Sequence, residues 1–426
     1  MADLDILDRF DMTKPPLRTK WYLKPIRNLL CAPALWRHKP IISYENGVEN
    51  LKPPFLMLCN HNAFFDFIIA STVLGKNDAN YVVAIDGFIK REWLLRSLGC
   101  IGKRKFTNDT NLIRNLKKVV DMGNVAVIYP EARYSLCGTT AVLPRSLGKL
   151  AKFLGVPVVT LICHGHHVNS PFWNTSHDRG VRPTEATYKL LLTKEQVETL
   201  DIDTINKYIV DEFQYDDFAW QKQRGIRIRD KKRAEGLHRV LYKCPNCLSE
   251  QNMTSSGIRI ACTACGKEWE MTEYGELRAI SGDTEFSHIP DWYEWERLCV
   301  RKEVEEGSYS SGVLSVVVDS LPNSKGFIRL GRGTLIHDMN GFRVEVTDRE
   351  GRRHEMIKEV PSLYSCHIEY QYLFKHGDCV ELSTLSDTWY IYPEGQFSVT
   401  KMALATEELY RHFLLKKGWA LAEGLM

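Results

Sequence analysis

Two short apolar runs in this chain end abruptly in charge, and that pattern constrains its fold more than any other feature. Phe55-Leu56-Met57-Leu58-Cys59 leads into Asn60-His61, with Asp66 five positions further on; Val125-Ala126-Val127-Ile128 leads into Tyr129-Pro130-Glu131-Ala132-Arg133. Runs of this length bounded by polar residues suit strands buried on both faces. Charged groups at the ends of buried strands are where open α/β sheets keep their chemistry.

The surrounding rhythm agrees. Strand patterns at 81–85, 156–162 and 188–192 alternate with helical patterns at 65–74, 108–122 and 146–154. In the 108–122 segment Leu112, Leu116 and Val119 share one face. Thr193 with Gln196 forms a capping box that opens a helix, and 203–221 is expected as one further helix. The sum is a sheet with helices on its faces. A basic run, Arg224 to Arg233, marks a boundary. Residues 290–306 are acidic and aromatic and suit a short helix. From Ser311 the period changes to 2, with strands expected at 313–318, 327–330, 334–337, 342–346, 354–358, 363–370, 379–382 and 388–392. A helix at 400–415 follows. By element order alone this C-terminal part resembles a pleckstrin-homology-like sandwich or barrel.

At 426 residues the chain exceeds one ordinary core. The expected units are an α/β domain over 1–235, a small cysteine-bearing module over 240–275, a linker helix over 276–310 and a β-rich domain with its helix over 311–420. A net charge of +3 is too small to argue for a nucleic-acid partner. Met1 to Lys14 lacks an apolar signal core, and no apolar run reaches the roughly 18–20 residues of a spanning helix. A cytoplasmic protein, peripheral to a membrane, is therefore expected. Between Pro15 and Pro40 basic residues (Arg18, Lys20, Lys24, Arg27, Arg37, Lys39) interleave with Trp21, Leu29, Leu30 and Trp36, a mixture that settles on an anionic bilayer surface. It equally suits a helix packed on its own domain, with Pro25 and Pro33 interrupting any long helix.

A histidine at a strand end, with an aspartate about one helical turn away, suits a general base whose carboxylate orients the ring and stabilises the imidazolium. With no Ser or Cys inside the motif, a bound substrate alcohol is a candidate source of the proton. The opposing reading is coincidence, since His-x4-Asp arises by chance at this composition.

Taken in order, the motifs resemble the PlsC-type glycerolipid acyltransferases, which include lysophosphatidic acid acyltransferases. Asn60, His61 and Asp66 match that family's N-H-x4-D block. Gly99-Cys100-Ile101-Gly102-Lys103-Arg104-Lys105 stands loosely for its second block. Tyr129 to Ser135 stands for F-P-E-G-T-R-S, and Gly155-Val156-Pro157-Val158-Val159 for its aliphatic-proline block. The resemblance covers residues 15 to 220. The third block lacks the Gly-Thr pair, and Arg133 falls one position nearer Glu131 than the pattern puts its Arg. The resemblance implies an α/β acyltransferase domain with a mixed sheet. It moves a fatty acyl group from acyl-CoA or acyl-carrier protein to a hydroxyl of a lysophospholipid or glycerol phosphate acceptor. His61 is then the base, Asp66 its orienting partner, and Glu131 a group that positions the acceptor. Arg104, with Lys103 or Lys105, is then the phosphate ligand, Arg133 a candidate to share in it, and Asn60 and Ser135 complete the substrate site. His164, His166 and His167 suit a polar strand-end loop better than a metal site.

Cys244, Cys247, Cys262 and Cys265 form C-x2-C-x14-C-x2-C, one of the twelve-cysteine chain's few ordered patterns. Four thiolates at knuckle spacing suit a structural Zn²⁺ in a zinc ribbon, with no open position for catalysis. Ribbons also serve nucleic-acid-binding and scaffold proteins. The competing function is accordingly a zinc-ribbon scaffold or nucleic-acid binder, using Arg224 to Arg233, with a degenerate acyltransferase domain.

Overall fold

The computed structural model describes residues 8–174, 178–372 and 377–419, so both ends of the expected 1–420 span lie outside the described residues. The first sheet has seven strands: β1 (Ile41–Glu45), β2 (Leu56–Cys59), β3 (Ala79–Ala84), β4 (Ile101–Lys103), β5 (Val125–Ile128), β6 (Val158–His164) and β7 (Glu185–Leu192). Their order is β1-β7-β6-β2-β5-β3-β4. Every neighbouring pair is parallel except β6 with β7, so the sheet is mixed. β2 lies at the centre and all four of its residues are buried. Strand alternation sends Met57 and Cys59 into one core with Phe65, Ile69 and Leu161, and Leu56 and Leu58 into the other with Leu116, Val119 and Leu147.

Helices α1 (Leu23–His38), α2 (Phe65–Leu74), α3 (Glu92–Ser97), α4 (Thr110–Asp121), α5 (Ser146–Leu154), α6 (His166–Asn169), α7 (Lys194–Thr199), α8 (Ile202–Glu212) and α9 (Asp217–Gln223) accompany this sheet. The capping box at Thr193 and Gln196 forms as expected. Two expectations fail. The single helix over 203–221 is two, because Asp216 caps a new helix through the Ala219 N–H and the Asp217 N–H is drawn off to the Gly138 carbonyl. Conversely, α1 runs through Pro33 for 16 residues, so the prolines do not interrupt it. Among the described residues no helix is long and apolar enough to cross a membrane.

A four-stranded antiparallel sheet follows, β8 (Met253–Ser256), β9 (Arg259–Cys262), β10 (Glu268–Met271) and β11 (Leu277–Ala279), backed by α10 (Ile289–Glu305). Trp269 meets Trp292 edge-to-face at 5.0 Å and joins this sheet to α10. At 17 residues α10 is longer than the short helix expected.

The third sheet is antiparallel and seven-stranded: β12 (Leu314–Ser320), β13 (Ile328–Asp338), β14 (Gly341–Thr347), β15 (Arg353–Glu359), β16 (His367–Glu369), β17 (Cys379–Ser383) and β18 (Thr388–Pro393), in the order β15-β14-β13-β12-β18-β17-β16. The helix α11 (Val399–Lys416) completes it. The strands expected at 327–330 and 334–337 are one strand, β13. Its glycines cross β14 so closely that a Cβ at Gly333 would lie 1.8 Å from the Glu345 carbonyl oxygen. The glycines that look like a break in the sequence are a close approach in the sheet.

Candidate functional site

The His61 loop leaves the end of β2 and is held from both sides. The Asn60 amide pairs with the β6 backbone, donating to the Cys163 carbonyl at 2.9 Å and accepting from its N–H at 2.8 Å. The His61 N–H donates to Glu131 Oε1 at 3.0 Å, and the His61 carbonyl accepts from the Ser135 N–H at 2.9 Å. Asp66 lies in the first turn of α2, where a helix N-terminus favours an anion. Its Oδ2 accepts from the Asn62 and Ala63 N–H groups at 2.6 and 2.8 Å and lies 3.5 Å from His61 Nδ1. Its Oδ1 meets Nδ1 of His166. Burial alone would raise this carboxyl. The bonds and charges of His166 and His61 overcome that and hold it at about 2, so Asp66 is an anion at neutral pH.

The His61 ring lies between those of Tyr129 and Tyr134, each 4.3 Å away, and its side chain keeps 23% exposure. It opens on a cleft of about 1600 Å³ that runs between α1–α5 and the C-terminal sheet. The walls are largely apolar, with Leu23, Phe67, Leu94, Leu112 and Leu147 among them. That exceeds the roughly 300–1,000 Å³ of a drug-sized site and leaves room for a lipid chain.

Several expected ligands lie elsewhere. Glu131 is 1% exposed, does not line the cleft, and also accepts from the Ala141 N–H and the Tyr215 hydroxyl. Burial pushes it up to about 8 against those bonds. It anchors the His61 backbone instead of touching an acceptor. Asn60 is fully buried with its amide engaged by β6. Ser135 is buried, its hydroxyl donating to the Thr139 carbonyl and accepting from Gly138 N–H. Arg104 is 1% exposed and points away from the cleft. Its Nη1 donates to Leu321 O and Thr388 Oγ1, and its Nη2 to Pro322 O and Ser386 O, all at 2.8–3.0 Å. This guanidinium fastens the segments around the C-terminal sheet to the turn after β4 and does not line the cleft. Arg133 borders the cleft but pairs at 2.7 Å with Glu407 of α11, which Arg297 and Ser365 share.

Lys103 and Lys105 do line the cleft. Lys103 donates to the Thr107 hydroxyl and carbonyl, and burial lowers its ammonium to about 8. Lys105 pairs with Glu381 at 3.1 Å, with Asp86 at 3.9 Å. Sequence reasoning missed His166 and Tyr215 as members of the site. Only the His-Gly-His-His turn after β6 hinted at the former. His164 stacks on Trp220, and His167 is buried against Trp173 and Phe218, held neutral by desolvation.

Cys244, Cys247, Cys262 and Cys265 converge. Their sulfurs all lie within 4.8 Å of one another, with Cys244–Cys265 at 3.8 Å and Cys247–Cys262 at 3.7 Å. A tetrahedron with Zn–S bonds of about 2.3 Å has edges of about 3.8 Å, so donors and spacing fit a metal such as zinc.

Comparison with known proteins agrees for part of the chain. Residues 43–164 match the family model described as Acyltransferase. Among solved structures the chain is similar to the 1-acyl-sn-glycerophosphate (LPA) acyltransferase PlsC of Thermotoga maritima, at 14% identity and a TM-score of 0.37, covering 45% of this chain and 77% of that one. At that distance the likeness carries no argument. No curated protein sequence matches.

Proposed function

We propose that this protein transfers a fatty acyl group from an acyl thioester, acyl-CoA or acyl-carrier protein, to a hydroxyl of a glycerolipid acceptor. Lysophospholipids and glycerol phosphate are the acceptors the motif order first suggests. One observation carries the proposal: the half-open His61 ring, backed by the Asp66 anion, faces a lipid-sized apolar cleft within the stretch that matches the acyltransferase model.

With Asp66 against Nδ1, the neutral ring carries its proton there and leaves Nε2 as the base. Nε2 takes the acceptor hydroxyl's proton as that oxygen attacks the thioester carbonyl carbon. The tetrahedral intermediate collapses, the C–S bond breaks, and His61 returns the proton to the departing sulfur. Asp66 stabilises the imidazolium throughout. Asn60, Glu131 and Ser135 position the loop that carries the ring.

The four cysteines hold a structural zinc in this reading, and the C-terminal sheet with α11 is pleckstrin-homology-like. The exposed side chains of α1 and its preceding turn, Trp21 (81%), Leu29, Leu30 and Trp36, support a peripheral seat on a membrane. The scaffold or nucleic-acid reading is less well supported. Arg224 pairs with Glu185, Arg227 with Glu273, and Arg233 donates to the Met271 carbonyl, so much of the basic run is engaged within the fold. The test is thioester consumption over a panel of lipid acceptors, with His61→Ala beside wild type. Loss of turnover in the variant is expected; equal turnover, or none with any acceptor in wild type, would sink the proposal.

A further inference from the structure

Around Tyr134, beside the His61 ring, the cleft wall changes from apolar to polar, and the C-terminal sheet builds much of it. Asp86, Lys105, His367, Glu369 and Tyr372 all line this part. His367 and Glu369 belong to β16. His367 Nε2 meets Glu369 at 2.8 Å and Glu381 at 3.8 Å, while its buried Nδ1 has no hydrogen-bond partner among the described residues. The Tyr372 hydroxyl donates to Asp86 at 3.5 Å. The charges of Glu369, Lys105 and Asp86 all act on the Tyr134 phenol, which links this pocket to the reacting end of the cleft.

The pocket's charge balance is the informative feature. One ammonium, Lys105, faces Asp86 and Glu381, with Glu369 beside them. Burial holds the His367 imidazole neutral, down at about 3, so it adds no positive charge at neutral pH, and burial pushes Glu369 up to about 7, which leaves Asp86 and Glu381 as the carboxylates that face Lys105. The two arginines nearest in sequence to the motifs are committed elsewhere, Arg104 to four oxygens of the C-terminal sheet and Arg133 to Glu407. Lys103 lines the cleft as well, with two of its donors on Thr107 and the Asp109 charge acting on its ammonium. The remaining lining cations, Arg27, Lys90, Arg91 and Lys325, are half-buried or exposed. A phosphomonoester carries about −1.5 to −2 at pH 7 and would enter this pocket against net negative charge. Mixed donors and acceptors with an unpartnered imidazole nitrogen instead match hydroxyl groups.

We propose that this two-domain pocket seats the head of the acceptor, and that the acceptor is an uncharged, hydroxyl-bearing lipid of the monoacylglycerol class. This rests on the acyl-transfer reading and narrows its substrate. The test measures, for the full-length protein, equilibrium binding of 1-oleoylglycerol and of oleoyl lysophosphatidic acid below their aggregation thresholds. Thioester turnover with each, and with lysophosphatidylcholine, is measured in parallel. The expected result is at least tenfold tighter binding and tenfold higher kcat/KM for 1-oleoylglycerol. Glu369→Lys should shift that ratio at least tenfold toward lysophosphatidic acid. If that variant does not fold, His367→Gln should raise KM for 1-oleoylglycerol while leaving kcat nearly unchanged, whereas a merely structural role would lower thermal stability without that split. Equal or better binding of either phospholipid by wild type overturns the proposal, as does an unchanged ratio in folded Glu369→Lys. Selective binding of 1-oleoylglycerol without turnover supports the pocket and defeats the acyl-transfer reading instead.

Discussion

Replacing Asp66 by Asn separates charge from shape at the site's centre. The amide oxygen can still accept from the Asn62 and Ala63 N–H groups, so the loop keeps its geometry, while its nitrogen faces His166. The loss is the negative charge 3.5 Å from His61 Nδ1. At an effective dielectric near 20 the attraction between that charge and an imidazolium is roughly 5 kcal/mol, and at twice the dielectric about half that. In the proposed mechanism the imidazolium exists only once the acceptor proton has moved, so the loss falls on the transition state and kcat should drop by roughly 50- to 3000-fold. Steady-state thioester consumption reads this directly. Stability provides a second readout. The folded Asp66 carboxyl is held at about 2 against an ordinary 3.8. Its contribution, about 2 kcal/mol, is therefore fully present above pH 3.8 and lost as the pH falls through 2. Denaturant melts of wild type should show that acid loss, and Asp66→Asn should not. A folded variant with kcat within threefold of wild type would refute the assigned role of the carboxylate.

Three other outcomes are expected. Metal analysis after purification without chelator should find about one zinc per chain, and chelation should lower Tm by more than about 5 °C, because Trp269 ties the sheet that carries Cys262 to α10; a metal-free protein of equal stability would contradict this. Leu29→Glu with Leu30→Glu should cut sedimentation with anionic phosphatidylglycerol vesicles about a hundredfold, each leucine being about three-quarters exposed and contributing roughly 1.5 kcal/mol or more when buried in lipid; unchanged binding would remove α1 from the membrane contact. Ala132 holds φ at +56°, in the left-handed region, so Ala132→Gly should stabilise the fold by about 1 kcal/mol in denaturant melts, and a destabilised variant would show that the methyl group packs usefully.

Local chemistry was legible in the sequence wherever one element's own residues determine it. Helix α5 begins and ends where its apolar periodicity does, α2 spans its apolar segment, β2 and β5 follow their buried runs, and Thr193 with Gln196 caps α7, because such patterns record what a segment buries. The pairing of His61 with Asp66 was also legible, since both lie within one loop and the first turn of one helix. Contacts between segments far apart in sequence were not. Nothing adjacent to Arg104 announces that carbonyls at Leu321, Pro322 and Ser386 will take its guanidinium, nor that Glu407 will take Arg133. A cation beside a catalytic motif looks the same whether it meets a substrate or its own chain. The sequence by itself determined the buried strands β2 and β5, the Thr193–Gln196 cap, the cysteine knuckles and the histidine–aspartate pair, because each is a short-range pattern. Only the tertiary structure decided which charges remain available to a ligand, because desolvation and ion pairing depend on what the rest of the chain packs against each group.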